Sequence, residues 1–130
     1  MRYEFDFDQR YGRLLAALGV TRGRAFVTLD GGEVTARFGP WLVRTPVTNI
    51  AQVSLTGPYR WFRVIGTHLS LKDRGISLGT NTRQGVCLAL KRPVPGIDPR
   101  GLIKHPGLTV TVADPPAFAA AVRSAAGIPG

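Results

Sequence analysis

From Arg24 to Leu90 the chain is cut into short apolar runs by glycine- and proline-bearing turns, and this cadence limits its fold more than any other feature. Runs of that length suit strands and are too short for helices that hold themselves in water. AFVTL ends in Asp30-Gly31-Gly32 and is followed by EVTARF. Asp-Gly and Gly-Gly supply the positive φ of a tight reverse turn, so a hairpin is expected, with Val34, Ala36 and Phe38 on one face. Phe38-Gly39-Pro40-Trp41 turns the chain again into WLVRTPV, and beyond the Arg44-Thr45-Pro46 corner comes NIAQVSLT. There Ile50, Gln52 and Ser54 oppose Ala51, Val53 and Leu55 in an imperfect alternation that Gly57-Pro58 ends.

The stretch from Arg60 to Asp73 fits either an irregular strand or a loop. ISLGT and GVCLAL read as two more strands, joined through Asn81-Thr82-Arg83-Gln84. KRPVPGIDPRGLIKHPG reads as a long connection without regular structure, held to the body by Val94, Ile97, Leu102 and Ile103, and LTVTVA is the last strand. The expectation is seven strands in meander order from AFVTL to LTVTV. Ahead of them Tyr3, Phe5 and Phe7 alternate with Glu4 and Asp6 as in an edge strand. Asp8 is placed to cap a short helix with Tyr11, Leu14, Leu15 and Leu18 on its docked face and Gly19 at its end. After the strands, Asp114-Pro115-Pro116 starts a helix whose apolar face is Phe118, Ala121, Val122 and Ala125, closing at Gly127. The fold class expected is mainly β with a C-terminal helix. A single domain would span residues 1–130, with an N-terminal strand and helix extension over 1–22, the β body over 23–113 and the capping helix over 114–127.

A chain of 130 residues supports one core, burying roughly two-thirds of the surface its unfolded form exposes. Hydrophobic content of 44% with 19% charged residues points to neither wholesale disorder nor a membrane protein. Every apolar run is broken well short of the roughly 20 residues a membrane helix needs, and MRYEFDFD has no signal-peptide core, so a cytoplasmic location is expected. Cys87 has no partner for an internal disulfide, and its setting in GVCLAL suits a small buried thiol better than a reactive one. The net charge of +9 favours anionic partners. Arg37, Arg44, Arg60, Arg63, Lys72, Arg74, Arg83, Lys91 and Arg92 face a single acid, Asp73, within their stretch. Only Lys72, Lys91 and Lys104 are lysine, and an arginine-heavy, alanine-rich chain also follows from a GC-rich genome without any ligand.

Residues able to carry chemistry are few. His68 lies near Ser70 and Asp73, but catalytic triads are assembled from distant segments, and a surface or loop histidine is the simpler reading. His105 precedes a proline in the long connection. One thiol and two separated histidines give no zinc spacing, and SLGTNTRQG and TGPYRW lack the glycine spacing and following helix of a phosphate loop, so no metal, cofactor or catalytic residue is assigned. The sharpest interaction candidate is Tyr59, Arg60, Trp61, Phe62 and Arg63, where exposed aromatics beside arginines could stack on bases or pack on a partner. The competing reading puts Trp61 or Phe62 in the core with the arginines as its solvated rim. Arg74, Arg83, Lys91 and Arg92, at hairpin ends, complete the candidate patch.

The strand order, closed by a helix entered through Asp114-Pro115-Pro116, resembles the pleckstrin-homology-like (PH-like) fold. That resemblance implies two nearly orthogonal sheets in a partly open barrel of about seven antiparallel strands, with the last helix plugging one end. FGPW, TPVTNIAQV, TGPYRW, QGVCLAL and LTVTVADP together are also similar to an uncharacterised family of small proteins from high-GC actinobacteria, over nearly the whole chain. Two departures stand out. The first hairpin turn is flanked by the acids Asp30 and Glu33 where phosphoinositide-binding members are basic, and Phe118 stands where many eukaryotic members have tryptophan. The resemblance therefore implies a non-catalytic binding or scaffolding module, acting on another protein or at an anionic membrane surface, cytoplasmic and at most peripheral to the membrane. Alternatives are nucleic-acid binding by the basic surface, and a small-ligand carrier or enzyme using the barrel interior.

Overall fold

The computed structural model describes residues 1–59, 64–69, 74–98 and 100–129. Among them β1 (Arg2–Glu4), β2 (Ala25–Asp30), β3 (Glu33–Phe38) and β4 (Trp41–Pro46) form one sheet in that order. The second sheet runs β5 (Ile50–Thr56), β8 (Gly85–Pro95), β9 (Lys104–Val110), β7 (Ile76–Gly79) and β6 (Gly66–Leu69). Helix α1 (Gly12–Ala17) lies between β1 and β2, and α2 (Pro115–Ala126) follows β9. The chain is mainly β with one C-terminal helix, and its two sheets do not close into a barrel.

Local chemistry sets the first sheet. Asp30 pairs with Glu33 across Gly31 and Gly32, whose φ values of 59° and 76° give the two-residue turn that matches strand twist. Phe38 pairs with Trp41 across Gly39, at φ 60°, and Pro40. Period-two alternation then buries Ala25 and Val27 of β2, Val34, Ala36 and Phe38 of β3, and Val43 of β4. From the second sheet Ile76, Leu78, Val86, Leu88, Leu108 and Val110 are buried as well.

The meander expectation fails in the second sheet. Gly66–Leu69 is a strand, so one more strand exists than the seven expected, and its hairpin with β7 docks on the far side of β9. β7 runs parallel to β9, with Ile76 opposite Leu108. Turn residues reveal where a strand stops but not which distant edge it joins.

The long connection is shorter than expected. β8 continues through Pro93 to Pro95, and β9 begins at Lys104, pairing Val94 with His105 after a register shift beyond Ala89. Proline is tolerated at such an irregularity, where no ladder N–H is required. His105 is therefore a buried strand residue and not a loop histidine. A similar irregularity between Ile50 and Gln52 places Ile50 and Val53 both inward, which explains the imperfect alternation there. Cys87 is half-buried, on the opposite strand face from Val86 and Leu88, and not in the core.

Asp114 caps α2, its carboxylate accepting from the Ala117 N–H at 3.2 Å, and Gly127 ends the helix at φ 71°. The buried face is Phe118, Ala119 and Val122. Ala125 is exposed, because alanines of equal size leave the helix rotation to Phe118, whose ring meets Tyr3 edge-on at 4.8 Å. At the other terminus β1 pairs with β2 while Phe5 bridges to Val112, so one short segment touches both sheets. Asp8 caps a 3-10 turn (Gln9–Tyr11) ahead of α1. The expected face docks only in part, through Leu15 and Tyr11. Leu15 is buried, but Leu14 and Leu18 remain 46% and 39% exposed, since the short helix hands the next core position to Val20. Among the described residues no helix is long and apolar enough to cross a membrane.

Candidate binding cleft

Among the described residues β4 is an edge strand, paired with β3 alone. Phe38 and Trp41 flank a two-residue turn and so exchange main-chain hydrogen bonds; the antiparallel alternation then directs Val43 and Thr45 toward β3 and turns Leu42 and Arg44 outward. Pro46, at the next outward position, has no N–H to offer. Against this edge lies a cleft of about 930 Å³. Glu33, Pro40, Trp41, Leu42 and Arg44 line one wall, and Pro95 to Asp98 with Arg100 and Gly101 line the other.

The second wall is fixed by its own chemistry. A Cβ on Gly96 would lie 2.6 Å from Val43 Cγ2, so glycine is what lets the chain approach β4 this closely. His105 Nε2 accepts the Ile97 N–H at 3.1 Å, and its Nδ1–H donates to the Arg74 carbonyl at 2.7 Å. With both bonds made, the Nδ1 hydrogen faces the Arg74 carbonyl and the Nε2 lone pair faces Ile97. The Asp98 carboxylate accepts from the Ile103 N–H at 3.0 Å and the Leu102 N–H at 2.8 Å, which hold its pKa below the usual 3.8. Glu33 accepts from the Thr35 hydroxyl at 3.4 Å. Arg44 and Arg100 are exposed and have no ion-pair partner among the described residues. Trp41 is half-buried, its ring 6.4 Å from that of Phe38. The cleft combines an aromatic wall, two uncommitted cations and open main-chain groups.

Of the residues singled out from sequence, the described ones fall at several places: Tyr59 lies beside Arg83 through its bond to Thr82, while Lys91 and Arg92 lie along β8. Arg60, Trp61, Phe62 and Arg63 lie outside the described residues. Tyr59 is half-buried: its N–H donates to the Thr82 carbonyl at 2.8 Å and its hydroxyl is bonded to that of Thr56. Burial raises the Tyr59 pKa, and the Thr56 bond partly offsets this. Arg83 is held by Asp6 and Asp8. Lys91 and Arg92 are exposed toward the other end of β8, about 20 Å of strand from Gly85 at ~3.3 Å per residue. The Arg92 main chain is fastened by Asn49, which donates to its carbonyl and accepts from its N–H, each at 2.9 Å. Arg74 is exposed at φ 65°, next to the cleft wall through its bond to His105.

His68 sits in β6 with Nε2 2.5 Å from the Ile65 carbonyl, and Ser70 and Asp73 lie outside the described residues. Among the described residues no three of His, Cys, Asp and Glu gather to hold a metal ion. Arg44, Trp41 and Arg100 were not in the sequence-derived patch. Their one signal was Arg44 standing between Pro40 and Pro46, since prolines flanking a strand mark an edge. No family model, curated protein or solved structure matches the chain.

Proposed function

We propose that the chain is a non-catalytic binding module of PH-like architecture that acts through contacts with another protein, centred on the cleft beside β4. The architectural part is supported by strand order. If the β6–β7 hairpin is taken as an insertion, β2–β3–β4, then β5–β8–β9, then α2 follow the PH-like succession. The functional part rests on one observation: the cleft of about 930 Å³ brings Trp41 and two arginines, without an ion-pair partner among the described residues, against a sheet edge. Such a site offers contact area and charge selection, while both imidazole nitrogens of His105 are already spent on main-chain bonds. The interior offers less for a carrier, because the buried strand faces are filled with Val, Leu, Ile and Phe.

Affinity capture from the native host with wild type and two charge-reversed variants tests this reading. Arg44→Glu with Arg100→Glu is expected to lose partners that Lys91→Glu with Arg92→Glu retains. Recovery of the same proteins by both variants refutes the cleft as the contact surface. Pelleting with anionic but not neutral vesicles, unaffected by the cleft variant, points instead to membrane attraction.

A further inference from the structure

The open edge of β4 narrows what can occupy the cleft. Each of the two sheets ends in two edge strands. On β5 the Val53 carbonyl is taken by the Arg123 guanidinium of α2 at 2.9 Å, so this edge carries a cover from its own chain. On β4 the Leu42 and Arg44 main-chain groups face outward at the cleft with no partner strand among the described residues. Exposed edges of this kind are templates for another extended chain. Pro40 and Pro46 bracket the open part, so the template is short: the N–H and C=O of Leu42 and of Arg44.

Building on the binding-module reading, we infer that the cleft takes an extended acidic segment of a partner protein, which adds to β4 as a further strand. Four main-chain groups in strand alternation match a peptide backbone and not a compact small molecule. Alternate side chains of an added strand would point to opposite faces of the sheet. One set would meet Trp41 and Ile97, while the other would lie along the outer face with Arg44. The acidic preference follows from charge: Arg44 and Arg100 have no counter-ion among the described residues, whereas of the two carboxylates on the lining Asp98 is occupied by the Leu102 and Ile103 N–H groups and Glu33 accepts from the Thr35 hydroxyl. The net charge of +9 acts in the same direction at long range.

Amide-shift titration of the isotope-labelled full chain with a capped peptide of alternating glutamate and valine tests the inference. Expected are shifts confined to residues 41–46 and 95–101, and none with the lysine–valine counterpart. A twin peptide N-methylated on alternate residues keeps the side chains but loses the N–H donors of one edge. With both methylation phases tried, one is expected to bind roughly tenfold more weakly. Leu42→Pro removes an outward N–H at a position where an edge strand tolerates proline, and is expected to keep a dispersed spectrum while losing peptide binding. If that variant does not fold, the methylated peptides still decide. Equal binding by all peptides, shifts away from β4, or no shift at millimolar peptide overturns strand addition, as does concentration-dependent self-association through β4 that peptide does not displace. Should these fail while capture still depends on Arg44 and Arg100, strand addition falls and the binding module stands.

Discussion

Asp8 shows how much one carboxylate can organise. Its Oδ1 accepts the Arg10 N–H at 3.0 Å, the Arg10 guanidinium lies 3.3 Å from Oδ2, and Arg83 reaches it at 3.9 Å. The main-chain bond first, then the side-chain bond, hold its pKa below the usual 3.8. The unfolded chain therefore binds this proton at higher pH than the folded one. The stabilisation is complete above the usual value and is lost as pH falls below it toward the folded value. Asp8→Asn is expected to melt lower than wild type near neutral pH, with the gap narrowing as pH falls below 3.8; thermal melts on both sides of that value check it. A parallel pair of curves would show that the charge contributes nothing. His105 tests a buried polar residue: His105→Phe fills the space but strands the Arg74 carbonyl and Ile97 N–H. At about 1–3 kcal/mol per unsatisfied group, a loss of roughly 2–6 kcal/mol is expected in urea unfolding.

Edge strands govern the elements. Arg123 of α2 donates to the Val53 carbonyl and so fastens the closing helix to β5 while covering that edge. Arg123→Met keeps much of the packing and removes the bond. Because the residue is only half-buried, a loss of about 1 kcal/mol is expected, with faster amide exchange in α2 measured at the same time. No change in either would mean that Phe118 and Val122 alone seat the helix. Among the described residues β4 has no such fastening, and its protection comes from Pro46, the charge of Arg44 and the neighbouring wall of Pro95 to Asp98 with Arg100 and Gly101.

Across the whole molecule the N-terminal segment ties the two sheets. β1 pairs with β2, Phe5 bridges to Val112, and the Thr80 hydroxyl and Asn81 Nδ2 donate to the Asp6 carbonyl at 2.7 and 2.8 Å. Thr80, Asn81 and Thr111 are buried, and their mutual bonds satisfy this polar knot without solvent. Phe5 is 2% exposed and packs on Phe38 at 5.2 Å. Phe5→Ala is expected to cost about 3–5 kcal/mol, and to lower hydrogen-exchange protection equally in β3 and β9. Protection lost in β3 alone would show that the sheets open independently.

By itself the sequence determined the local pieces. Gly31-Gly32 and Gly39-Pro40 set two hairpins, Asp114 and Gly127 bounded the closing helix, and alternation put Val34, Ala36 and Phe38 of β3 on the one face that is buried. These are short-range choices of φ, capping and period, written in neighbouring residues. Only the tertiary structure decided that β7 joins β9 in parallel, that His105 is buried and that Leu14 and Leu18 are not. The placement of Arg44, Trp41 and Arg100 around one cleft was decided there too, because strand partnership and edge exposure depend on which distant surfaces meet.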